Sequence, residues 1–184
     1  MAAIEASSPD AGRLYDELLV TLVQTGDRRA GERLAIRWQP RLARTARRLL
    51  GDDEAALVAV QEAWVSILRN IAGLRDPSRF APWAFGILRR RCADRIRRMQ
   101  VDRTRRGESE DEPALPAAAD DALAIRQAFA ALPGDQRLAA QLFFVEGLTL
   151  AEIAEVQEVP PGTAKTRLFH ARRKLKAALS GDET

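Results

Sequence analysis

Apolar residues return every three or four positions through most of the chain, the spacing of a helix that buries one stripe. Over residues 13–23, Leu14, Leu18, Leu19, Leu22 and Val23 mark such a face, and Gly26-Asp27 breaks it. Residues 28–50 resume the spacing through Leu34, Ala35, Trp38, Leu42, Ala46, Leu49 and Leu50, with a break or kink expected at Pro40. Gly51-Asp52-Asp53 reads as a stop followed by a cap. Residues 54–71 predict a helix with Leu57, Val60, Trp64, Ile67, Leu68 and Ile71 on its apolar face. Residues 73–81 predict a loop, because Asp76-Pro77 disfavours helix. Pro82 then opens a helix with Ala84, Ile87, Leu88, Cys92, Ile96 and Met99 on its apolar side and arginines around the rest. Residues 123–132 form a further helix that stops at Pro133-Gly134; Asp135 is expected to cap the next, with Leu138, Leu142, Phe143 and Val145 in its core.

No sustained alternation predicts a strand, so the expected class is all-α. The composition changes after Met99: the next twenty or so residues hold few large apolar side chains, two prolines, and a basic run followed by Glu108, Glu110, Asp111 and Glu112. Such a stretch reads as a flexible linker. The expected organisation is two small helical domains, 13–100 and 122–180, joined by a linker over 101–121, with a frayed tail before residue 13.

Residues 149–176 carry the most specific pattern. Thr149 and Glu152 have capping-box spacing. Ala151, Ile153, Ala154 and Val156 give a short helix its apolar side, a turn follows near Glu158, and Pro160-Pro161 suits the entry of a second helix. In that helix Ala164, Leu168, Ala171, Leu175 and Ala178 form the buried stripe, and no acidic side chain occurs from Thr163 to Lys176. A short helix, a turn and a longer basic helix make a helix-turn-helix, whose second helix enters the DNA major groove.

Composition narrows the classes. Of 184 residues, 29 are Lys or Arg and 26 Asp or Glu, so the net charge is only +3 and the clustering of arginines matters more than the total. Cys92 is the only cysteine, which excludes an internal disulfide and fits a reducing, cytoplasmic setting. No apolar run approaches membrane-spanning length, so no membrane insertion is expected. Paired carboxylates in a cleft-like context, a nucleophile–histidine pair, a phosphate loop and a metal-ligand cluster are all missing, so neither an enzyme nor a cofactor or metal is expected. The lone His170 reads as a surface or DNA-facing side chain, Trp38 and Trp64 as core, and Cys92 as a small buried side chain.

The chain resembles a bacterial RNA polymerase sigma factor of the extracytoplasmic-function type, group IV of the sigma-70 family. Ala131-Leu132-Pro133, Arg137, Glu152-Ile153-Ala154, Gly162 through Leu168 and Ala171 through Leu175 resemble region 4. Gln61-Glu62-Ala63-Trp64, Phe80-Ala81-Pro82-Trp83, Ile87 and Arg89 through Arg98 resemble region 2. The likeness spans about Leu14 to Leu179 in the right order. Three positions depart from it: Val58 stands where acidic residues are usual, Arg90 where asparagine is common, and Glu158 where the turn often has glycine. A positive φ at Glu158 would cost about 1 kcal/mol against glycine.

The resemblance implies a protein that binds core RNA polymerase, recognises the −35 and −10 promoter elements and promotes melting. It implies −35 contacts from Lys165, Thr166, Phe169 and His170 to base edges and from Arg167, Arg172, Arg173 and Lys176 to phosphates. Phe169 has core packing as its alternative. The −10 element would meet Arg75, Asp76, Ser78, Arg79 and Phe80 of a base pocket, Arg89, Arg90, Arg97 and Arg98 on the backbone, and Trp83 by stacking or, alternatively, packed at the helix start. Gln61 and Glu62 would face the β′ clamp helices of the polymerase, the β flap would meet the C-terminal domain, and an anti-sigma factor would cover these faces. The competing reading is a free-standing helix-turn-helix regulator with a helical sensor domain.

Overall fold

A computed structural model describes residues 9–106 and 121–180; the acidic part of the expected linker lies outside the described residues. Eight α-helices follow one another: α1 Pro9–Gln24, α2 Arg28–Leu50, α3 Asp53–Asn70, α4 Phe80–Arg106, α5 Asp121–Ala130, α6 Gly134–Ala140, α7 Leu150–Gln157 and α8 Pro161–Ser180. No strand occurs among the described residues.

Local chemistry sets most boundaries. The Asp27 carboxylate accepts from the N–H groups of Arg29 and Ala30 and starts α2; Gly51, at φ 67°, ends it. Asp52 caps α3 through the N–H of Ala55. Short 3₁₀ turns at Ile71–Gly73 and Pro77–Arg79 replace the expected open loop, and Asp76 caps the second through the N–H of Ser78.

Several expectations are corrected. Helix α1 begins before the boundary at residue 13. Pro40 does not break α2, because Pro40 and Ile36 are both exposed, so the carbonyl that loses its donor meets water. Helix α4 opens at Phe80, not Pro82, and runs on to Arg106, through the first six positions assigned to the linker. Asp135 does not cap α6, whose N-cap is Pro133. The buried side of α3 is a row of small residues, Ala55, Ala56, Ala59 and Ala63 with Val60 and Ile67, whereas Leu57 and Leu68 face solvent. Small residues let α2 and α4 approach α3 closely, and that approach decides the buried face over the larger leucines.

One core joins both halves. Leu19, Leu34, Trp38, Leu42, Ile67, Phe80, Phe85 and Leu88 pack in continuity with Leu138, Leu142, Ile153 and Val156. Helix α7 lies on α4, and α6 on α2. Ala128, Phe129, Leu132, Ala140, Ala171 and Leu175 form a smaller cluster that fixes α8 to α5 and α6.

Candidate nucleic-acid interface

The helix-turn-helix is built as its sequence predicts. The Thr149 hydroxyl accepts from the Glu152 N–H at 3.3 Å, and the Glu152 carboxylate accepts from the Thr149 N–H at 2.7 Å. Burial alone would push the Glu152 carboxyl up. The Thr149 N–H and hydroxyl, together with Arg13, outweigh it and hold the group below its usual range. Helix α7 ends on Glu158 at φ 54° and ψ 46°, the only non-glycine with positive φ among the described residues. Pro161 then opens α8.

Lys165, Thr166, Phe169, Arg172, Arg173 and Lys176 are all exposed on α8. At 3.6 residues per turn these positions share one side of the helix. Ala164, Ala171 and Leu175 are buried on another. Phe169 is 62% exposed, which settles its alternative: it is not core. Its ring meets His170 edge-on at 5.6 Å. Arg167 departs from the group. It pairs with Asp135 at 2.6 Å and donates to Gln157 Oε1 at 3.1 Å, so it braces α8 against α6 and α7.

The second basic surface is the 3₁₀ turn and α4. Arg75 and Ser78 are exposed there, and Asp76 is engaged in its cap. Phe80 is corrected: it is buried against Trp38, ring centroids 4.9 Å apart, and offers no surface to a base. Trp83 is half-buried beside Phe80 at 6.0 Å. Arg97 pairs with Asp94, and Arg98 lies 3.7 Å from Glu62. Trp64, expected in the core, is only partly buried and donates to Gln39 Oε1 at 2.6 Å. Cys92 is buried, and that burial pushes its thiol up to about 12.

Gln61 is exposed and Glu62 half-exposed on α3, and around them the sequence reading missed a surface. Leu57, Val65 and Leu68 are exposed on the same helix. A second missed patch is Phe143, Phe144 and Val145, of which Phe143 and Val145 were expected in the core. They lie on Gln141–Val145, a π-helical segment after α6 that displaces the side-chain register and turns them outward.

Between the halves lies an open cleft of about 680 Å³ lined by Ser66, Asn70, Trp83, Arg90, Arg97 and Glu158, among others. Glu158 meets Arg89 at 2.6 Å and Arg90 at 2.9 Å, and Glu155 pairs with Arg79. The Arg89 hydrogen bond and charge, then those of Arg90, hold the Glu158 carboxyl below its usual range. Against α2, Glu146 is wholly buried as a side chain. It accepts from Arg41 Nε and Arg44 Nη2, both at 2.9 Å, and from Gln141 Nε2 at 3.2 Å. The Arg41 guanidinium also stacks 4.0 Å over Trp38.

The family description Sigma-70 region 2 matches residues 34–101, and Sigma-70, region 4 matches residues 122–175. The RNA polymerase sigma-H factor of Pseudomonas aeruginosa is 30% identical, the match covering 89% of this chain and 93% of that one. The ECF RNA polymerase sigma-E factor of Escherichia coli is also 30% identical over the same shares. Two solved structures share the fold at 23% identity. One is the sigma factor RpoE in complex with the anti-sigma factor NepR from Bartonella quintana, with TM-score 0.72 over 83% of this chain and 98% of that one. The other is CnrH in complex with the cytosolic domain of CnrY, with TM-score 0.65 over 92% and 99%. With both regions matched in order and relatives of this identity along nearly their whole length, the chain belongs to the sigma-70 family of RNA polymerase sigma factors, in its extracytoplasmic-function group.

Proposed function

We propose that the chain binds core RNA polymerase and directs it to promoters, α8 reading the −35 duplex and α4 with its preceding turn holding the opened −10 strand. The observation that carries this is the pair of separate cationic surfaces within one chain. Phosphate contacts anchor and base contacts choose. On α8, Lys165, Thr166, Phe169 and His170 are assigned to base edges, and Arg172, Arg173 and Lys176 to phosphates. Arg167, braced by Asp135, is assigned to positioning α8. On the other surface Arg75, Arg79, Arg89, Arg90, Arg97 and Arg98 are assigned to the strand backbone, with Trp83 and Ser78 at the pocket.

Gln61 and Glu62 are assigned to the polymerase clamp. The exposed Leu57, Val65 and Leu68 support that assignment, because apolar side chains clustered on one outer face favour a protein partner. The chain has no catalytic role of its own in this reading, and an anti-sigma factor is assigned to cover one or both faces; RpoE was solved in complex with the anti-sigma factor NepR, and CnrH in complex with the cytosolic domain of CnrY. Among the described residues no helix is long and apolar enough to cross a membrane. The free-standing regulator is not favoured, since the half it treats as a sensor matches sigma-70 region 2.

Run-off transcription with core polymerase and genomic fragments tests the proposal. Discrete products that require both chain and core are expected. Transcription no different from core alone would overturn it.

A further inference from the structure

Among the described residues, each ion pair between the halves has its carboxylate on the C-terminal half and its guanidinium on the N-terminal half. Glu146 takes Arg41 and Arg44, Glu152 takes Arg13, Glu155 takes Arg79, and Glu158 takes Arg89 and Arg90. This one-way polarity matters because Arg79, Arg89 and Arg90 are the side chains assigned above to the promoter strand. A carboxylate and a phosphate present a guanidinium with the same paired acceptor oxygens. Glu158 also lines the cleft beside Trp83 and Arg97.

The backbone at Glu158 points the same way. A left-handed residue at a turn is the position glycine fills without strain. The chain instead keeps a side chain there, and its two carboxylate oxygens reach two arginines of α4. Meanwhile α8 packs on α5, α6 and α7, and its basic face remains exposed.

We infer that Glu155 and Glu158 of the helix-turn-helix occupy phosphate positions of the unpaired promoter strand, so that the closed chain presents its duplex-reading helix while its strand-holding arginines are shut. This rests on the assignment of those arginines to single-stranded DNA. Duplex docking and strand capture then become sequential. Whatever draws α7 from α4 frees Arg79, Arg89 and Arg90 together, and polymerase binding to α3 and the C-terminal half is suited to do so.

The test uses the full chain and a fluorescein-labelled thymidine oligomer of about twelve nucleotides, within the span such surfaces cover, titrated at low salt by anisotropy. The variant carries Glu155→Gln and Glu158→Gln. A control carries Glu32→Gln and Glu54→Gln, the same charge change at exposed positions without ion pairs among the described residues. Exposed pairs of this kind are individually weak, so the double variant is expected to bind about three- to tenfold more tightly than the native chain. The control is expected within about twofold of native, allowing for its charge change. Glu158→Gly, which removes the carboxylate and suits the left-handed backbone, is expected to gain as well, and adding Arg90→Ala to the double variant to cancel most of the gain. Equal affinities of native chain and double variant, or an equal gain in the control, would overturn the latch. Binding by none of the chains would instead overturn the strand assignment beneath it.

Discussion

Phe80 shows what a single residue's neighbours add to its sequence context. It sits where the resemblance implies a base pocket, yet its ring fills the core between Trp38 and Trp83. Phe80→Ala is therefore expected to destabilise the fold by roughly 3–5 kcal/mol. Urea denaturation followed by far-UV circular dichroism checks this; an unaltered midpoint with weakened strand binding would restore the DNA role. The basic residues of α8 make the same point. Arg167 and Arg172 look alike in sequence, but among the described residues Arg167 alone of the two has a carboxylate in reach, supplied by Asp135 from another helix. Local spacing predicts the charge of a helix face, but which charges are already neutralised depends on distant residues. Cys92 was legible, because an apolar position on a helical stripe needs no partner to be buried. Its raised thiol value means the folded state holds the proton more tightly than the unfolded one. Its contribution is complete below the ordinary thiol range and is lost as pH rises towards about 12. At neutral pH a disulfide reagent is expected to leave Cys92 unmodified until the chain is unfolded; rapid labelling of the native chain would contradict its burial.

Helix α7 and the turn after it were the most legible element, since their determinants are adjacent in sequence: a capping box, a turn and a proline at the first position of α8. The periodicity of α3 places Val60, Ile67 and Ile71 correctly in the core but also puts Leu57 and Leu68 there. Large apolar residues dominate a periodicity count, whereas Ala55, Ala56, Ala59 and Ala63 fill the rest of the contact and Leu57 and Leu68 stay outside. The π-helical segment was not legible at all, because one inserted residue shifts the register of Phe143 and Val145 without any Gly or Pro to announce it. The capping box allows a direct test. Thr149→Ala removes the hydroxyl that accepts the Glu152 N–H and is expected to cost about 1 kcal/mol. It also weakens what holds the Glu152 carboxyl low. A depressed carboxyl contributes stability above the ordinary glutamate value of about 4.3 and loses it as pH falls through the depressed value. The variant is thus expected to begin acid unfolding at higher pH than the native chain. Superimposable acid titrations of helicity would remove the cap from the account.

The two halves were legible separately, but their union was not. Two domains on a linker follow from local patterns, whereas the shared core sets Leu138, Leu142 and Ile153 against α2 and α4 from far along the chain. Glu146 is the clearest case. No charge beside it in sequence accounts for a wholly buried carboxylate, and its charged partners, Arg41 and Arg44, lie in the other half. Its burial also separates it from Glu158, which is exposed and bound only at its tip. Removing Glu158 should free DNA contacts with little loss of docking; removing Glu146 should undo the docking itself. Glu146→Ala leaves the Arg41 and Arg44 guanidiniums and the Gln141 amide without their shared acceptor, partly open to water, and is expected to cost roughly 2–4 kcal/mol. The loss should be local. Residues of α6 and the π-helical segment, and the part of α2 they cover, are expected to exchange amide hydrogens faster. The packing of α3 against α4 does not involve Glu146 and should stay protected. Thermal unfolding is then expected in two steps, against one for the native chain with its continuous core. If exchange instead accelerated evenly through both halves in a single step, Glu146 would be holding the common core together and not the seam between the halves.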